Sequence, residues 1–144
     1  MTTSTENLDT LIFNICETFN DFKVLTDDRM SDLGITAAMG VAMDYVYLNG
    51  PSAVPDIARA KSVSRQHIQK LTDALIGMGM VMMIRNPLHK RSALVALTPK
   101  GRQAFKMVRA RQAAQLARLA SQMDETEVVA ANKAVQNLRR LLAG

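Results

Sequence analysis

The sequence predicts a mainly α-helical chain with one small β-hairpin, and three observations carry that prediction. Apolar residues recur at helical spacing near both ends of the 144 residues. Capping residues or first-turn prolines stand ahead of the apolar runs between those ends. From Met80 to Leu97 the pattern changes to two short apolar runs on either side of a turn, which is the signature of paired strands.

Taken in order, Leu8, Ile12, Ile15, Phe19 and Phe22 alternate steps of four and three, so they share one stripe of a first helix. A second helix follows the capping Thr36 through Met39, Met43 and Val46, and Asn49, Gly50 and Pro51 stop it. Pro55 suits an initial helical position and Asp56 the positive dipole end, so Pro55 to Ala60 reads as a short helix. Lys61 to Val63 makes a tight turn, and either Ser62 or Ser64 can cap the next helix. That helix is lined by Ile68, Leu71, Leu75 and Met78, with Gly77 and Gly79 as its exit. The hairpin comprises Met80 to Ile84, a turn at Asn86 and Pro87, and Ala93 to Leu97. Thr98 and Pro99 open a long helix to about Ser121. Asp124 caps a last one, with Glu127 placed to bond back, and its stripe is Val128, Ala131, Val135, Leu138 and Leu142. Both end stripes can pack within one subunit or against a second copy, and a dimer is the favoured expectation. No linker or repeat divides the chain, so residues 1–144 are expected to form one domain.

Charge is distributed unevenly. Met1 to Leu33 holds seven acids against Lys23 and Arg29, whereas Pro55 to Lys106 holds ten bases against Asp56 and Asp73. A solvated basic face would account for that surplus, and so would an anionic partner. With Ile68, Leu71, Leu75 and Met78 inward, rotation at helical pitch leaves Gln66, Gln69, Lys70 and Asp73 opposite, with Arg65 and Thr72 on the flank. Glutamine can pair with N6 and N7 of adenine, and arginine with O6 and N7 of guanine.

Other classes are poorly served. Cys16 is the single cysteine, so no intrachain disulfide can form, no export signal leads the sequence, and a reducing cytoplasm is expected. The longest apolar run is too short to span a membrane. There is no phosphate loop, no paired carboxylates in the basic segment, and no histidine besides His67 and His89. No enzyme, cofactor or metal is therefore expected.

The ordered series Val54-Pro55-Asp56-Ile57-Ala58, Ser64-Arg65-Gln66, Gly79-Met80-Val81, Arg85-Asn86-Pro87, Lys90-Arg91-Ser92 and Leu97-Thr98-Pro99-Lys100-Gly101 resembles the MarR group of winged helix-turn-helix regulators across nearly the whole chain. The resemblance implies a homodimer joined by residues 1–34 and 104–144, with residues 35–103 gripping double-stranded DNA. It implies a reading helix in the major groove, with Arg65, Gln66 and Gln69 as base readers and Ser62, Ser64, His67 and Lys70 on phosphates. A basic wing carrying Arg85, His89, Lys90 and Arg91 would lie beside it, with Arg91 either on the backbone or bracing the hairpin. The family usually has an acid where His89 stands, and the change makes the wing either looser or more positive.

The family often takes small aromatic effectors, and Phe19, Met39, Met43 and Tyr47 are the expected lining here. Some members sense peroxides through one cysteine near the position of Cys16. No tyrosine is close to Cys16 in sequence and it borders the apolar stripe, so it is expected to be a buried packing residue. The remaining alternative is an architectural DNA-binding or protein-interaction module.

Overall fold

The helix starts in the computed structural model are set by short polar side chains that satisfy otherwise orphaned amides. The structure describes residues 3–89 and 91–144. Helix α1 (Ser4–Arg29) begins with a reciprocal capping box, in which Thr3 accepts from the Glu6 amide and the Glu6 carboxylate accepts from the Thr3 amide. After a short 3-10 turn (Ser31–Leu33), helix α2 (Ala37–Asn49) starts at Thr36, whose hydroxyl accepts from the Met39 amide at 3.2 Å. The Asp27 carboxylate accepts from the Ala37 amide at 2.6 Å and ties the end of α1 to the start of α2.

Helices α3 (Val54–Lys61) and α4 (Arg65–Gly77) follow, then strands β1 (Val81–Arg85) and β2 (Ala93–Leu97), α5 (Pro99–Ala120) and α6 (Glu125–Leu142). The strands pair antiparallel with Val81 opposite Leu97 and Arg85 opposite Ala93. A one-residue bridge joins Ser52 to Val95 through two backbone hydrogen bonds of 2.8 and 3.0 Å, an addition to the sheet that the sequence pattern did not reveal. Asp124 caps α6 by accepting from the Thr126 and Glu127 amides, but the return bond expected of Glu127 is not formed.

Two compact units are present, Met1–Lys106 and Met107–Gly144, with the boundary inside α5. The core of the first is built from Met30, Ile35, Met43, Val46, Ile57, Ile68, Leu75, Val81, Val95 and Phe105. Each large aliphatic side chain so buried contributes about 1.5–3 kcal/mol. The second unit holds the distal part of α5 and all of α6, a helix with no buried residue. Among the described residues, no helix is long and apolar enough to cross a membrane.

Helix α1 has no buried residue either. Leu8, Ile12, Phe19 and Phe22 of its stripe are exposed, Phe19 to 70%. Cys16 is exposed as well, which corrects its expected burial. The stripe it borders faces no core in this chain, so adjacency to apolar residues did not bring the thiol inside.

Candidate nucleic-acid interface

The turn between α3 and α4 decides how α4 is presented. Ser62 terminates α3 in the left-handed region at φ 54°, a conformation that usually favours glycine. The chain thereby reverses within Ser62–Ser64, and the cap of α4 falls to Ser64 rather than Ser62. The Ser64 hydroxyl oxygen accepts from the His67 amide at 3.0 Å, which leaves its own hydrogen available to a further acceptor. Beyond the cap, α4 runs 13 residues.

Ile68 and Leu75 are buried and Leu71 and Met78 half-buried, as the helical spacing predicts. Thr72 departs from its expected place on the flank and is 2% exposed. It lies four residues after Ile68 and three before Leu75, on the same inward rows, and position on the helix outweighs the polarity of one hydroxyl. Arg65, Gln66, His67, Gln69, Lys70 and Asp73 are all exposed, so the structure brings the expected readers and phosphate contacts onto one polar surface. On that surface the Gln69 Nε2 donates to the Asp73 carboxylate at 2.9 Å, four residues along the helix.

The far end of α4 is pinned. Gly79 adopts φ 72°, and its carbonyl accepts from the Thr98 hydroxyl at 2.5 Å while the Met78 carbonyl accepts from Lys100 Nζ at 2.9 Å. Thr98 Oγ1 also accepts from the Gly101 amide, capping α5. A Cβ at Gly101 would stand 1.8 Å from the Met80 carbonyl oxygen, so glycine is required for α5 to approach the start of β1. The end of α4, the start of β1 and the root of α5 are therefore tied together at one joint.

In the wing, Arg85 ends β1 and is exposed, as are His89 and Arg91. Lys90 lies outside the described residues. Arg91 makes no hydrogen bond or ion pair with the described residues, so it does not brace the hairpin there. Asn86 does so instead: its Oδ1 accepts from the Leu88 amide at 3.0 Å, and its Nδ2 donates to Ser92 Oγ at 3.3 Å. The Asn86-Pro87 pair marked a turn in the sequence, but its bracing role needs the loop closure that brings Ser92 near. Leu88 at the tip is 93% exposed.

The four residues expected to line an effector crevice differ in burial. Met43 is sealed in the core, Met39 is half-buried, and Phe19 is exposed on α1. Tyr47 packs against Phe105 at 5.1 Å between ring centroids, with the Arg102 guanidinium 5.6 Å from its ring. Among the described residues, no group of three or more His, Cys, Asp or Glu side chains is arranged to hold a metal ion.

No family model matches the chain. An uncharacterized protein of Mycobacterium tuberculosis is 32% identical over 89 residues, which is 62% of this chain and 60% of that protein. The chain thus spans about three-fifths of the length of the curated relative it matches. Among solved structures, a MarR family transcription regulator superposes with a TM-score of 0.88 at 22% identity, covering 96% of this chain and 92% of the other. A mutant MarR from Escherichia coli, solved with operator DNA, superposes with a TM-score of 0.82 at 20% identity, covering 95% and 99%. The chain has the MarR-like fold, a mainly α winged helix-turn-helix in which α3 and α4 form the helix-turn-helix and β1–β2 the wing.

Proposed function

We propose that the protein is a sequence-specific DNA-binding transcriptional regulator, a repressor that acts as a homodimer on a pseudo-palindromic operator. The observation that carries the proposal is the surface of α4, where Arg65, Gln66, Gln69 and Lys70 stand exposed on a helix anchored from behind by Ile68, Thr72 and Leu75. Side chains held this way can enter a major groove without losing their register. Ser64 and the first-turn amides meet phosphate at the positive end of the helix dipole, and Ser62, His67 and Lys70 add to that grip. The wing, with Arg85, His89, Lys90 and Arg91, reaches the adjacent backbone or minor groove and supplies affinity more than discrimination. The operator-bound neighbour of the same fold supports this orientation.

The dimer is supported by α1 and α6, neither of which buries a residue although both carry apolar stripes. Residues 1–34 and 104–144 are assigned to subunit association, and residues 35–103 to DNA. A two-fold pair of reading helices then sets half-site centres about 10 base pairs apart.

The test is selection of bound duplexes from a random pool at fixed salt. A palindromic motif is the expected result. Affinity for random duplex within a few fold of the best sequence would replace the regulator with an architectural DNA binder. Arg65→Ala should cost about 1–3 kcal/mol on the selected sequence and relax preference at one position. Lys90→Ala should weaken all duplexes alike and lower the salt slope by about 1.

A further inference from the structure

Within the basic stretch from Pro55 to Lys106 there are two acids, and they are used differently. Asp56 pairs with Arg59 at 3.4 Å at the start of α3. Asp73 stands on the exposed face of α4 and has no cationic partner among the described residues; its carboxylate instead accepts from the neutral amide of Gln69. On a surface meant for DNA, an unpaired carboxylate repels every phosphate irrespective of sequence. Its compensating effect must therefore be on something other than affinity.

Resting on the DNA-reading proposal above, we infer that Asp73 is a positioning residue that determines which base Gln69 accepts. A glutamine side chain is an amide with a donor end and an acceptor end, and a freely rotating one can offer either to a base edge. An ionised carboxylate accepts and never donates, so it engages the Nε2 end and fixes the amide in one of its two orientations. Nε2 is turned toward Asp73, and Oε1 with the remaining N–H is left for the groove. That pair matches adenine, which offers N6–H and N7, and matches cytosine N4–H with a single bond. Guanine and thymine can take only the single remaining N–H, because guanine N7 and O6 set an acceptor against Oε1 and thymine O4 has no neighbouring donor for it. The expected preference at this position is adenine, which takes two bonds, over cytosine, guanine and thymine, which take one each.

The experiment is duplex selection at one salt concentration with the full chain and four variants, Gln69→Ala, Asp73→Ala, Asp73→Asn and Asp73→Glu, each checked for an unchanged helical melting curve. The unaltered chain should select a motif with adenine preferred about tenfold at one position of each half-site. Gln69→Ala and Asp73→Ala should flatten that same position and leave the others intact. Asp73→Asn, which can donate as well as accept, should admit guanine or thymine there, and Asp73→Glu should restore the preference. Both Asp73→Ala and Asp73→Asn should bind random duplex more tightly than the unaltered chain. A motif unchanged in Asp73→Ala, or flattened at a position that Gln69→Ala leaves alone, overturns the role of Asp73 while the DNA-reading proposal stands. Absence of any motif for the unaltered chain overturns both.

Discussion

Helices α4 and α1 carry the same kind of apolar stripe, yet α4 buries Ile68, Thr72 and Leu75 while the twice-as-long α1 buries nothing. Periodicity states which face of a helix is apolar. It does not state what covers that face. For α4 the cover is the core of its own unit, which turns the opposite face outward in a fixed orientation suited to reading. For α1 the proposed dimer would supply the cover, because a stripe holding exposed Leu8, Ile12, Phe19 and Phe22 is unusual for a lone soluble helix.

The comparison can be broken by mutation, and the largest effect is expected at the joint that holds α4. Gly101→Ala should destabilise the first unit by at least about 3 kcal/mol in urea unfolding, since its Cβ meets backbone oxygen rather than a movable side chain. Next, Ile68→Ala should cost about 2–4 kcal/mol whatever the protein concentration. Phe19→Ala should instead lower stability in a concentration-dependent way and raise the dimer dissociation constant in analytical ultracentrifugation. Equal, concentration-independent losses for the two would remove the distinction between the helices. Asp27→Ala should cost about 1 kcal/mol by freeing the Ala37 amide, readable as a lower urea midpoint. Smallest, Ser62→Gly should raise stability by about 0.5 kcal/mol by relieving the left-handed turn, while slightly weakening DNA binding through the lost hydroxyl.

The sequence was most readable where the physics is local. Thr36, Thr98 and Asp124 could each be picked out as caps, and Ser64 as one of two candidates beside Ser62, because a cap involves one side chain and amides two or three residues on. The polar face of α4 was readable for the same reason, given the inward positions of Ile68 and Leu75. The Ser52–Val95 bridge was not, since pairing of a single residue has no period to detect. Thr72 was misplaced because its side-chain type was weighed above its row on the helix. Cys16 was misplaced because it was placed by its apolar neighbours on α1, a helix that buries no residue. The Gln69–Asp73 bond lay within reach, as a four-residue helical spacing of an amide and a carboxylate is a local signal, but its meaning emerges only beside the absence of a cation for Asp73 among the described residues.

The joint at the end of α4 also governs how the molecule breathes. The Met80 amide donates to the Leu75 carbonyl, the Thr98 amide to the Met80 carbonyl, and Lys100 Nζ to the Met78 carbonyl. A helix end usually frays and exchanges its amide hydrogens quickly. Here the last turn of α4 cannot open without parting from β1 and from the root of α5, so the amides of Met78 and Met80 should exchange far more slowly than those of a frayed helix end. Helix α4 should thus be kinetically quiet at the end farthest from its cap, leaving its motion mainly to its side chains.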